Sequence, residues 1–116
     1  MQLLDFASQG IFEPGKIASS LRTSAEEVAQ TVGLTKDALQ RRTRIVSAKT
    51  QRRLRELIEV LNKVEPRYGS TLMAYAWIRS EPLAGFDGRT AMQLIQDGKA
   101  QHVLEYIDAV DAGVYA

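Results

Sequence analysis

Apolar residues recur along this chain at the three-to-four-residue spacing of amphipathic helices. No segment alternates apolar and polar positions long enough to require a strand, so the pattern predicts an all-α fold. Behind Pro14, which suits a first helical turn, Ile17, Ala18 and Leu21 form one stripe and predict a helix over 14–21; residues 1–13 carry no decisive pattern. Ser24-Ala25-Glu26-Glu27 has capping-box form, with the serine oxygen accepting from a first-turn amide and the glutamate reaching back to the serine N–H. The helix it opens turns Val28, Ala29 and Val32 inward and stops at Gly33, with Leu34 as a core anchor beyond the turn. Thr35 is placed to cap a second helix, Lys36 to about Arg42, with Ala38 and Leu39 inward. Ser47 starts a longer helix, expected to end before Pro66, in which Leu54, Leu57, Ile58, Leu61 and Val64 make one buried stripe. Ser70 starts another that runs through Trp77 and Ile78 and is stopped by Pro82. A glycine-bearing loop, 83–89, then leads to a second capping box, Thr90-Ala91-Met92-Gln93. Gly98 ends that short helix, and Val103, Leu104, Ile107 and Val110 stack along the last one before Gly113.

With 116 residues and 45% hydrophobic content the chain can bury a core of ordinary single-domain size, or two small halves sharing one. It has no cysteine and one histidine, which excludes disulfides and thiolate metal sites and speaks against a zinc cluster. Neither a secretion signal nor a membrane-length apolar run is present, so a soluble cytoplasmic protein with no membrane partner is expected. The net charge of +1 conceals an asymmetry: residues 1–70 hold 12 basic and 8 acidic groups, residues 71–116 hold 3 and 6. Between Lys36 and Arg55 eight cations face only Asp37, a block that attracts a polyanion or forms a solvated face.

Placed beside this block, Ser24 to Arg44 reads as a helix-turn-helix. Ala29 packs at the crossing, Gly33 permits the turn, Leu34 plugs the core and Thr35 opens a recognition helix. Lys36, Asp37, Gln40 and Arg41 are types that read base edges, while Arg42, Arg44, Lys49, Arg52 and Arg53 suit phosphates. The competing reading is an ordinary helical hairpin.

In the second half, Trp77-Ile78-Arg79, the run Glu81 to Ala91 with its Gly85-Phe86-Asp87-Gly88-Arg89-Thr90-Ala91 loop, Leu94 to Gly98, Val103 to Asp108 and the ending Gly113-Val114-Tyr115-Ala116 follow in a fixed order. This series resembles the toxin-binding domain of Xre/MbcA/ParS antitoxins, and the first half resembles the Xre-type helix-turn-helix that precedes it in such proteins. Ala91 stands where many members carry proline. The resemblance implies a DNA-binding region over 1–64 and a toxin-binding domain over 65–116. It implies a cognate RES-domain toxin that degrades NAD or transfers its ADP-ribose, operator DNA, a homodimer, and a hetero-oligomeric toxin–antitoxin complex. The antitoxin would block the toxin's NAD cleft with its C-terminal tail and repress its own operon, with no cofactor and no small-molecule substrate. The residues it assigns to the toxin are Trp77, Arg89, Asp108, Asp111, Gly113, Val114, Tyr115 and Ala116. Gly113 would break the helix, Val114 and Tyr115 offer an apolar pair and a phenol, the Ala116 carboxylate an anion, and Asp108 and Asp111 partners for basic groups at a cleft rim. Alternatively Tyr115 folds back on the last helix, Arg89 merely pins the loop, and Trp77 is the anchor beneath it.

Catalytic residues are not expected. No nucleophile has a positioned base, the Gly85–Gly88 loop is not a phosphate-cradling motif, and His102 reads as solvated, which disfavours a small hydrolase built on Asp, Glu and His. The rival within the binding class is a stand-alone helix-turn-helix regulator whose C-terminal half only dimerises.

Overall fold

In a computed structural model the chain is described over residues 7–8 and 10–113, and the helical periodicity is realised as seven α-helices. In chain order they are α1 (Pro14–Ser20), α2 (Ala25–Thr31), α3 (Arg42–Ile45), α4 (Ala48–Tyr68), α5 (Thr71–Ser80), α6 (Ala91–Gln96) and α7 (Ala100–Asp111). Ahead of them a two-residue antiparallel pair, β1 (Ala7–Ser8) and β2 (Ile11–Phe12), occupies the stretch whose pattern is ambiguous. A side chain completes this miniature sheet. Gln51 on α4 accepts from the Phe12 N–H (2.8 Å) and donates to the Phe12 carbonyl (3.1 Å), so an amide group stands where another strand would.

One apolar cluster runs from Phe12 to Ile107 and takes residues from every α-helix except α3. Helix α4 is its axis: Leu54, Leu57, Ile58, Val60, Leu61 and Val64 are buried, and the helix packs against β2 and α3 on the amino-terminal side and against α5, α6 and α7 on the other. The boundary drawn at 64/65 between two regions therefore falls inside a continuous helix.

Three local expectations need correcting. Helix α4 does not end before Pro66 but continues to Tyr68 and closes at Gly69. Proline removes one amide from the last turn, while two ion pairs on either side of it, Lys63–Asp108 and Arg67–Asp111, both at 2.5 Å, tie the helix to α7 and hold its course. The helix expected over Lys36 to Arg42 is instead a 3₁₀ turn, Lys36–Leu39, then an extended Arg41, then the single turn α3. Burial of Ala38 and Leu39 pins that turn, and Thr35 makes no side-chain cap to support a longer helix. Ser24 does cap α2, accepting from the Glu27 N–H (3.1 Å), but the Glu27 carboxylate does not complete the box, since stronger partners on α5 claim it. At Thr90 both halves of the box form, with Gln93 N–H donating to the threonine hydroxyl (3.2 Å) and Thr90 N–H to the glutamine (2.9 Å).

Candidate functional site

The cations of residues 36–55 separate into exposed ones and ones engaged within the chain, Arg55 among the latter through Glu59 (3.7 Å). Lys36, Arg41, Arg44, Lys49 and Arg52 are exposed. Lys49 joins two neighbouring clefts, one of about 460 Å³ shared with Thr43 and Arg44, the other of about 360 Å³ shared with Arg52, Arg53 and Glu56. Gly33 and Leu34 link the first of these to a third cleft that Lys36 borders together with Glu26 and Glu27, so the cationic surface is concentrated in the two clefts around the start of α4. Two other arginines assigned to phosphates are engaged within the chain. Arg42 grips the Glu13 carboxylate through both oxygens (2.8 and 2.9 Å), and Arg53 donates to the Ile95 carbonyl (2.6 Å) at the end of α6. Gln40 is exposed, one residue beyond the 3₁₀ turn.

Behind this surface α2 is locked to the second half. Gly33 takes φ +78 and its α-carbon lies so close to α6 that an added Cβ would stand 2.8 Å from the Gln96 carbonyl. Gln96 returns the contact by donating to the Gln30 carbonyl (2.9 Å). On the other side of α2 the buried Thr31 and Tyr75 hydroxyls share a hydrogen bond (3.0 Å), and Tyr75 donates to Glu27 (3.1 Å). Glu27 also accepts from Thr23 and pairs with Arg79 (3.1 Å), whose guanidinium lies 5.3 Å from the Tyr75 ring centre. The Thr23 hydrogen bond leads the lowering of the Glu27 carboxyl below its ordinary range; burial opposes it, and Tyr75 and Arg79 assist. Burial pushes the Tyr75 phenol up.

The residues assigned to a protein partner lie on α5, the 81–90 loop and α7. The loop is a tight hairpin: Asp87 and Gly88, both at positive φ, form its tip, Arg89 N–H donates to Phe86 O (3.0 Å), and Leu83 N–H to Arg89 O (2.9 Å). Its anchors are buried Leu83 and half-buried Phe86, whose ring meets Tyr106 edge-on at 6.0 Å and His102 at 6.5 Å. Trp77 lines a small cavity of about 70 Å³ with Tyr68, Tyr106, Ile107 and Val110, between the ends of α4 and α7. Arg89 pairs with Asp97, which ties the loop to the end of α6. Asp108 and Asp111 pair with α4 yet stay 61% and 51% exposed at the side chain, so each retains an accessible carboxylate edge. His102 is exposed, as expected. Gly113, at φ +86, donates to the Val110 carbonyl (2.9 Å) and closes α7; Val114, Tyr115 and Ala116 lie outside the described residues.

Sequence reasoning did not single out Tyr68 and Tyr106 beside Trp77. The signal available was the spacing of Tyr106 and Val110 on α7, which places the phenol next to the apolar stripe. Among the described residues no cluster of His, Asp or Glu is grouped to hold a metal ion, and no helix is long and apolar enough to cross a membrane.

A family model described as the C-terminal toxin-binding domain of Xre/MbcA/ParS antitoxins matches residues 56–113, half of the chain. No curated protein and no solved structure matches it.

Proposed function

This chain belongs to the Xre/MbcA/ParS antitoxin family, and from that membership we propose that it is a cytoplasmic antitoxin for a RES-domain toxin that consumes NAD or transfers ADP-ribose. It acts by binding, without catalysis of its own. The match over residues 56–113 carries the reading, because it identifies a toxin-binding domain and extends to the glycine that closes α7. Residues 113–116 enter the NAD cleft of the toxin, Val114 and Tyr115 filling the apolar part, while Asp108, Asp111 and Arg89 meet its rim and Trp77 backs the contact. Support comes from α7 itself: its last turns are staked to α4 by Asp108–Lys63 and Asp111–Arg67, so the segment leaving Gly113 starts from a rigid post. Two copies pair within a hetero-oligomeric complex, and the cationic face of residues 36–55 holds the DNA of the operon.

The test is co-expression with the product of the adjacent reading frame. A chain ending at Ala112 is expected to keep its helicity and its salt-sensitive DNA binding while NAD falls in the cell as it does with toxin alone. If the shortened chain protects NAD as fully as the intact one, the tail does not plug the cleft. If the intact chain forms no complex with that product, the antitoxin reading itself fails and a regulator that only dimerises replaces it.

A further inference from the structure

The cationic face has the charge of a DNA-binding surface without the helix that reads bases. A recognition helix presents base-reading side chains at i, i+3 or i+4, and i+7 along one outward face. The turn Lys36–Leu39 has four residues and two of them, Ala38 and Leu39, are buried, so no two outward positions share that spacing within it. Gln40 keeps helical geometry at φ −94 and ψ −28 and makes one outward i, i+4 pair with Lys36, but Arg41 is extended at φ −111 and ψ 136, so the helical spacing goes no further than that single pair. Asp37, exposed on the same turn, adds a negative group where a groove edge lined by phosphates would approach. By contrast Lys49 and Arg52 lie on one face of a 21-residue helix, next to Arg44. None of these three has an in-chain ion pair among the described residues.

Resting on the DNA-contact part of the function proposed above, we infer that this face binds duplex DNA through its phosphates alone. Arg44, Lys49 and Arg52 form the grip, Lys36 and Arg41 extend it, and a single chain is indifferent to base sequence. Arg53 is outside the grip because its guanidinium caps α6 through Ile95. Preference for an operator then has to come from several copies spaced along one duplex, not from contacts within one copy.

The experiment uses the full chain and two labelled duplexes of equal length, one from its own promoter and one with the same bases scrambled, with binding followed by fluorescence anisotropy across a salt series at chain concentrations where it is monomeric. Both duplexes are expected to bind within about threefold of each other, with log K falling against log salt at a slope of about −4, as for four to five neutralised phosphates. Reversing two charges with Lys49→Glu and Arg52→Glu should lower affinity for both roughly fiftyfold at 0.1 M salt and bring the slope to about −2. A promoter duplex bound more than about tenfold tighter, with the preference lost in Gln40→Ala or Arg41→Ala, would show base readout and overturn the inference while leaving DNA binding intact. Absence of binding to either duplex at low salt would overturn both. Tighter binding to a single-stranded RNA of the same length would reassign the surface to another nucleic acid.

Discussion

Gly33 is the residue where sequence and tertiary structure constrain each other most tightly. Its left-handed φ ends α2, and its missing side chain lets α6 approach within contact of the backbone. Gly33→Ala adds backbone strain and forces the Gln96 carbonyl away, so it is expected to lower the unfolding free energy by about 2–4 kcal/mol and the melting temperature by roughly 8 °C or more. Thermal denaturation followed by circular dichroism measures this, and a change of less than about 0.5 kcal/mol would mean that α6 does not sit against the turn. Glu27 shows the opposite behaviour, a position whose role its local pattern misstates. Local sequence makes it the second half of a capping box, but the hydroxyls of Thr23 and Tyr75 and the charge of Arg79 offer it more than one amide does.

At the scale of elements, the Glu27 cluster ties α2 to α5 and makes their union sensitive to acid. A carboxyl held below its ordinary value of 4.5 in the folded state contributes stability that is complete above that value and is lost as pH falls through the lower, folded value. Urea midpoints measured from about pH 3 to pH 7 should therefore drop at the acid end, and Glu27→Gln should be less stable near neutrality with a flatter acid limb. An unaltered acid limb in that variant would remove Glu27 from the cause. Most element starts were legible in the sequence because Ser24, Ser47, Ser70 and Thr90 cap their helices with their own side chains, an interaction contained within four residues. The end of α4 and the break at Gln40–Arg41 were not legible. The first is decided by ion pairs to α7, 44 residues away in the case of Arg67 and Asp111, and the second by burial of Ala38 and Leu39 against other helices. The candidate surfaces follow the same rule: the cationic block was visible as composition, whereas the diversion of Arg53 to the Ile95 carbonyl depends on where α6 comes to rest.

For the whole molecule, one apolar cluster without a seam predicts one melting event. Far-UV dichroism and the fluorescence of Trp77, the single tryptophan, should report coincident transitions, and a fragment starting at residue 56 should lack native helicity because it loses Leu54, Val28, Val32 and Ile17 from the shared core. Two separate transitions, or a stable helical fragment, would show that the halves fold alone. The unbroken course of α4 has a mechanical side as well. Twenty-one residues at 1.5 Å each make a strut about 31 Å long, close to nine steps of a DNA duplex at 3.4 Å per step. On the proposed function, DNA held near Lys49 and a toxin held beyond Tyr68 would be kept apart by that fixed gauge, two loads that could be exchanged but not brought closer together.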